Sequence, residues 1–412
     1  TADDVVFTCD RFMRALNPRF RVGLLSVSSI KALDAHTVEF KLNYPFAAFL
    51  GLFDTSSCSI APRHLFENVD LGKPLTGTPV GTGPYKFKAW VRGSHIHLVR
   101  NEAYHDAGFP KVDNVYWHVI PDGASRAAAF ETGKLDVLPG GTVEYFDVQR
   151  LSRLPGVSVT QKGWEKFAPL AHAWINHRVP LLQDLRVRQA LTIAIDREQL
   201  AKVVWQGYAT PNAGPFHRQT PFHSRQLPAV PRDVRKARAL LAAAGYKGEP
   251  VRLQNLPFGV TWARTGEMVK QHLAEAGFNI QLNNNDLATT MSRVASWDFD
   301  LAFTFMYQSG DPALGVARSH VGSEIKKGSA FNNVGGCQSA KVDALFERGS
   351  RTIDPRQRAE TYAELQRTLV DDVAALWLLD LDFPTVYRSS KFDNLISSAV
   401  GLNDSLDRVL PR

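Results

Sequence analysis

Sulfur is scarce in this 412-residue chain, which has three cysteines and four methionines. Cys9, Cys58 and Cys337 lie far apart and lack the paired spacing of a zinc site or redox motif. Their odd number allows one disulfide at most. Long apolar runs are missing as well: the longest uncharged ones, such as 373–379, fall far short of the ~18–20 residues a membrane-spanning helix needs. No tail or stripe of one charge sign occurs. The 48 basic residues stand against 41 acidic ones, a formal charge of +7, and apart from small groups such as 232–238 they are scattered. That pattern implies a solvated basic surface and argues against nucleic acid as a partner. Phosphate loops, a GxSxG elbow, HExxH and Cys–His pairs are all absent, which leaves an enzyme reading without a nucleophile, base or metal. His95 and His97 stand two apart on a predicted strand, but a single HxH lacks the third and fourth ligands of a metal site. His172 and His177, five apart on an extended run, cannot share a face. Both pairs read as ordinary surface or core histidines.

What is present reads as a folded chain. Apolar residues make up 44% and charged residues 22%, close to the averages of folded soluble proteins. The length exceeds one compact core and implies two or three units. Thr1 or Asp3 is placed to cap a helix over 3–15. A strand pair follows at 30–35 and 37–42, in which Val38, Phe40 and Leu42 share a half-buried face. Residues 45–50 suggest a short buried helix, and the Gly-, Pro- and Thr-rich stretch 72–83 a boundary. Strands are predicted at 85–91, 95–101 and 112–120, then a short helix around Ala127 and Phe130 that stops at Gly133. Beyond Trp174, helices and strands alternate. Asp184 and Asp196 read as helix caps, the second in a capping box with Gln199. Gly245 and Gly277 end two helices in the left-handed conformation, each followed by an extended run (251–256 and 279–283), which suggests neighbouring αβ units of one sheet. Residues 298–307 read as a central strand, and Asp354 with Pro355 opens a long helix.

The segment LRVRQALTIAID at 185–196, the WINHRVPLLQD run before it and GTGPY at 81–85 resemble the extracytoplasmic solute-binding proteins of ABC importers. The subfamily is family 5, which captures peptides, nickel complexes and other medium-sized solutes. The resemblance spreads over nearly the whole chain. It implies an α/β fold of the type II periplasmic-binding-protein class, with two lobes, a hinge and a small extra α+β domain. The implied division is 1–79 for the extra domain, 80–168 for the central part of lobe I, 169–382 for lobe III and 383–412 for the return to lobe I. Hinge crossings are expected near 168–176 and 380–388. In the family the phrase TADDV sits inside the protein, after a secretory signal and the first strands of the largest domain, so the resemblance predicts an N-terminally truncated chain with those strands missing and exposed sheet edges.

The same resemblance gives the candidate site. The segment 305–315 ends a strand in aromatic residues and breaks into a Gly-Pro loop, the place where α/β sheets hold ligands. Peptide-binding members carry an acidic residue there that pairs with a ligand's α-ammonium; Gln308 occupies that position here, with Asp311 three residues on. Asp311-Pro312 also reads simply as a turn and capping pair. Such relatives can place an Arg before the helix near Trp262, whereas here the segment is FGVTW at 258–262 and the nearest Arg is Arg264. The expected site is therefore Phe305, Tyr307 and Trp262 for stacking, with Gln308, Asp311, Asn332 and Asn333 as polar contacts. It suits a larger, less charged solute better than a free dipeptide. The implied partners are that solute and the membrane permease subunits, in the periplasm, with the protein a monomer and no cofactor. A ligand-sensing domain of a regulator with the same fold is the alternative, and a hydrolase with an unfamiliar site a remote one.

Overall fold

The computed structural model describes residues 1–73 and 77–412, so the expected boundary at 72–83 lies in part outside the described residues. The chain forms two compact units. One comprises Thr1–Val143, Asp147–Trp164 and Pro384–Arg412; the other comprises Glu144–Phe146 and Glu165–Phe383. Segments 1–79 and 80–143 thus fall in the same unit, and apart from the short excursion of 144–146 the chain passes from one unit to the other at 164–165 and back at 383–384.

The first unit is built from small antiparallel sheets. Thr1 and Asp4 cap the opening helix in a reciprocal capping box, and the helix widens into a π-helical turn at Thr8–Met13. Val27–Ala32 pairs with Val38–Leu42, and the half-buried Phe40 packs edge-on against Phe49 and Phe53 at 5.3 Å. The short buried helix expected at 45–50 is instead a 3-10 turn at Phe49–Leu52. Only Leu52 is buried there and Leu50 is 79% exposed, because a four-residue turn buries one side and must show the other to solvent. Tyr85–Val91, His95–Arg100 and Asn114–His118 make a three-stranded meander. Val137–Leu138 and Ser158–Thr160 flank the returning strand Thr385–Tyr387.

The second unit holds a six-stranded mixed sheet. Its strands are β1 Leu170–Ile175, β2 Ala209–Pro211, β3 Pro250–Gln254, β4 Asn279–Asn283, β5 Leu301–Met306 and β6 Ala375–Leu381, in the spatial order β4-β3-β5-β1-β6-β2. β3 runs parallel to β4 and β5, as the paired helix-Gly-strand phrases at 245 and 277 predict, while β1 is antiparallel to both β5 and β6. Every residue of β1 and β6 is buried. That accounts for their mostly apolar sequences on both faces, with His172 and Asp380 as the buried polar exceptions.

The longer helices of this unit are α1 Leu185–Ala194, α2 Val234–Ala243, α3 Gly259–Glu275, α4 Leu287–Ser296, α5 Ala340–Arg351 and α6 Pro355–Asp371. Asp184, Asp233, Asp286, Ser339 and Asp354 accept first-turn N–H groups of α1, α2, α4, α5 and α6, each cap contributing about 1 kcal/mol. Leu365, Leu369 and Tyr362 of α6 bury themselves with Leu345 and Phe346 of α5 against Ala375 and Trp377. Two guanidiniums enter this core and are met by carbonyls. Arg188 donates to Asp372 O, at the C-terminal end of α6, and to Leu182 O and Gln183 O. Arg197 donates to Trp377 O at 2.9 Å and Thr192 O at 3.0 Å. Among the described residues no helix is long and apolar enough to cross a membrane.

Leu365 is fully buried and Ile353 is 63% exposed, which sets a direct comparison. Leu365→Ala should cost about 2–5 kcal/mol of unfolding free energy through transfer and cavity terms, and Ile353→Ala no more than about 0.5 kcal/mol. Urea denaturation of both variants measures the difference, and equal losses would contradict the packing described.

Candidate functional site

The carboxyl ends of β3, β5 and β6 lie at one end of the sheet, because β3 and β5 are parallel and β5 and β6 both run antiparallel to β1. The register confirms it: Gln308 N donates to Phe167 O at 2.7 Å, and Leu381 N to Pro169 O at 2.9 Å. Side chains just past each strand therefore collect there. Phe305 stacks on Trp262 at 6.1 Å and 23° and meets Phe258 at 6.0 Å, Tyr307 at 5.7 Å and Phe383 at 5.7 Å. Tyr307 reaches Phe167 at 5.2 Å. On the other side Trp262 stands edge-on to Trp205, which packs on Tyr145, itself stacked on Tyr208. The result is an aromatic belt along the strand ends. Phe258 is 45% exposed and Phe305 half-buried, so part of it faces solvent.

Of the residues selected from sequence, Trp262, Phe305 and Tyr307 are brought together. Gln308, next in the chain, is buried and accepts a hydrogen bond from Thr220 Oγ1 at 3.2 Å. Ser309 follows with φ 56°, and its buried Oγ has no hydrogen-bond partner among the described residues. Asp311 is engaged internally. Its Oδ1 caps the short helix Pro312–Gly315 through Ala313 N, and Arg358 Nη2 reaches its two oxygens at 3.0 and 2.9 Å. Arg358 also lies over the rings of Phe222 and Tyr362. Burial pushes the Asp311 carboxyl above its usual range, and the Arg358 charge pulls it back only in part. Asn333 is likewise spent on its own loop, donating to Val321 O and Cys337 O and accepting from Gly336 N. Asn332 and Asn333 are not gathered with the belt: the adjoining Val334 packs with Trp174, Ala302 and Met306, the face of β5 opposite to Phe303 and Phe305.

Sequence reading missed several members. Phe258 stands inside the FGVTW segment and its aromaticity was a usable signal. Phe167 and Phe383 lie at the ends of flanking strands and announce themselves only once strand order is known. Glu144 gave no signal at all. It sits 115 positions before the helix it serves, where it accepts from Val260 N at 2.8 Å and from Thr261 N and Oγ1 at 3.2 and 2.6 Å. A carboxylate already occupies the positive end of α3.

A buried polar network gathers around Asp380 of β6. Asp380 accepts from Asn212 Nδ2 at 2.6 Å and Arg218 N at 3.0 Å, and Arg218 pairs with Asp382. Burial pushes Asp380 up to about 6, with the hydrogen bonds and the Arg218 charge opposing. Burial also takes His217 down to about 3, so that imidazole is neutral. Among the described residues no group of three or more His, Cys, Asp or Glu is placed to hold a metal. A cavity of 740 Å³ lies elsewhere, within the first unit, lined by strand 114–118, residues 134–139 and the apolar Leu395, Leu402, Leu406 and Val409. None of the seven selected residues lines it.

Two outcomes follow from this geometry. Asp311→Ala strands the buried Arg358 charge, and should cost about 3–5 kcal/mol of stability, visible in urea denaturation as a loss larger than that of Asn332→Ala. For Asp380 the folded pKa lies above the unfolded aspartate value of about 3.9. Its favourable contribution is therefore complete below about pH 4 and lost as pH rises through about 6. The stability of wild type relative to Asp380→Asn should fall across that window, and parallel pH profiles of the two would refute the assignment.

Comparison with known proteins places this geometry in a family. Residues 1–326 match the profile of bacterial extracellular solute-binding proteins, family 5. The chain is 31% identical over 294 residues to the glutathione-binding protein GsiB of Pectobacterium atrosepticum, covering 68% of this chain and 54% of that protein. It is 26% identical over 410 residues to the Probable di/tripeptide-binding protein 5 of Pseudomonas aeruginosa, covering 95% of this chain and 75% of that one. The chain thus spans about half the length of the first relative. The Helicobacter pylori periplasmic binding protein DppA, solved with the peptide STSA, superposes over 100% of this chain and 81% of its own with a TM-score of 0.84 at 23% identity, which establishes the type II periplasmic-binding-protein fold. With the profile covering most of its residues and the fold matching over its whole length, the chain belongs to the bacterial extracellular solute-binding proteins, family 5.

Proposed function

We propose that this protein captures a peptide or another medium-sized organic solute on the aromatic belt of its second unit, makes and breaks no covalent bond, and delivers the solute to the permease subunits of an ABC importer. It acts as a monomer in the periplasm. The names of its relatives, a glutathione-binding protein and a probable di/tripeptide-binding protein, support an amide-rich guest. The observation that carries the reading is the half-open stack of Phe258, Phe305 and Trp262 at the carboxyl ends of the strands. Apolar and aromatic walls with a few polar groups are the usual make-up of a small-molecule seat, and the unpartnered Ser309 Oγ supplies one such group.

The charges narrow the solute. A zwitterionic dipeptide gains most from an acidic side chain at its ammonium end and a positive group at its carboxylate end. Here the acidic Asp311 is already paired with Arg358, and the N–H groups opening α3 are already taken by Glu144. A solute with few formal charges, held by stacking and amide contacts, is therefore the better fit.

Isothermal titration calorimetry with matched ligands tests this. An acetylated and amidated aromatic dipeptide should bind more tightly than the free dipeptide of the same sequence, and Phe258→Ala should weaken that binding about tenfold, equivalent to ~1.4 kcal/mol. Preference for the free zwitterion, together with an unchanged affinity in Phe258→Ala, would overturn both the site and the solute class.

A further inference from the structure

The opening helix and the 54–63 segment are laced together in antiparallel order. Asp4 Oδ1 accepts from Arg63 N at 2.9 Å. Thr8 Oγ1 accepts from Ala61 N at 2.9 Å and donates to Ala61 O at 3.2 Å. Asn17 Nδ2 donates to Ser57 O at 3.2 Å. As the first number rises the second falls, and the ties at Thr8–Ala61 and Asn17–Ser57 bracket Cys9 on one segment and Cys58 on the other, holding both within the same short stretch of lacing. The side chains follow the backbone. The Cys9 thiol is fully buried in the π-helical turn, and the Cys58 thiol, half-buried in a turn closed by Cys58 N on Asp54 O, is its hydrogen-bonding neighbour. Cys337 stands apart against the core of the second unit.

We propose that Cys9 and Cys58 are a disulfide-forming pair that cross-links the opening helix to the 54–63 segment when the protein meets an oxidising compartment. The asymmetry of the two thiols sets the order of events. Cys58 is the accessible one, and the hydrogen bond from Cys9 holds its thiol below the usual cysteine range, so it is the attacking thiolate. Its sulfur attacks a disulfide donor, either glutathione disulfide or the disulfide of a dithiol oxidase. The donor S–S bond breaks, one donor thiolate leaves, and a mixed disulfide forms on Cys58. Cys9, deprotonated by the departing thiolate, then attacks the Cys58 sulfur and expels the second donor thiol. In sum two protein thiols lose two electrons and two protons, and the donor is reduced to two thiols. The bond closes a loop of about 50 residues, and a loop of that size removes substantial entropy from the unfolded chain.

Oxidation of the full chain with glutathione disulfide, followed by alkylation and peptide mass mapping, tests the proposal. The expected product is one cross-linked peptide pair holding Cys9 and Cys58, with Cys337 alkylated. Its melting midpoint should rise by several degrees over the reduced protein, a gain reversed by dithiothreitol and abolished in Cys58→Ser. Recovery of Cys9 and Cys58 both alkylated, of a persistent glutathione adduct on Cys58, or of a cross-link to Cys337 would overturn it. So would an oxidised-minus-reduced difference in melting midpoint that survives in Cys58→Ser.

Discussion

Strand β1 is the element on which the second unit depends. It is buried on both faces and hydrogen-bonded along both edges, to β5 on one side and β6 on the other. A strand with no edge or face left for water must be mostly apolar, with His172 its one polar side chain, and must have neighbours whose backbone groups match it, since an unpaired buried amide or carbonyl costs a few kcal/mol. Its antiparallel register with both neighbours has a second effect. It sends the carboxyl ends of β5 and β6 to the same end of the sheet, where the parallel β3 also finishes. The aromatic belt is the consequence of strand direction as much as of aromatic composition.

Several charged groups of the unit are drawn inward against partners that the fold supplies. Arg188 and Arg197 meet backbone carbonyls, Arg358 meets Asp311 and two rings, and Glu144 meets the N–H groups of α3. Each arrangement offsets part of the desolvation cost of an isolated charge. Each also withdraws that charge from recognition. On the proposed reading, the surface left for a guest is aromatic with a few neutral polar atoms, and this links the internal electrostatics to the kind of solute the belt would hold.

The first unit is organised differently. Its sheets have two or three strands, too few to bury a large core individually, and its order comes from many local ties between short segments. The lacing of residues 4–17 to 57–63 is one such set of ties, and it holds the two thiols against each other.

Much of the architecture was legible because it rests on local physics. Asp184, Asp196 and Asp354 cap helices where the chain offers free N–H groups. Gly245 and Gly277 turn left-handed where a helix must stop, and the alternation of residues 38–42 marks a strand half in water. Phe305 and Tyr307 stand where a strand ends, and the family resemblance grouped Trp262 with them. Nothing local marks Glu144 as the anion of a helix more than a hundred residues later, or assigns Asp311 to Arg358, or separates Asn332 and Asn333 from the face of β5 that carries Phe305. The sequence by itself determined most of the longer helices and strands, since these depend on periodicity, caps and turns within a dozen residues. Only the tertiary structure decided which charges are neutralised internally and which rings meet, because both depend on strand order and register, and these bring together residues that share no stretch of chain.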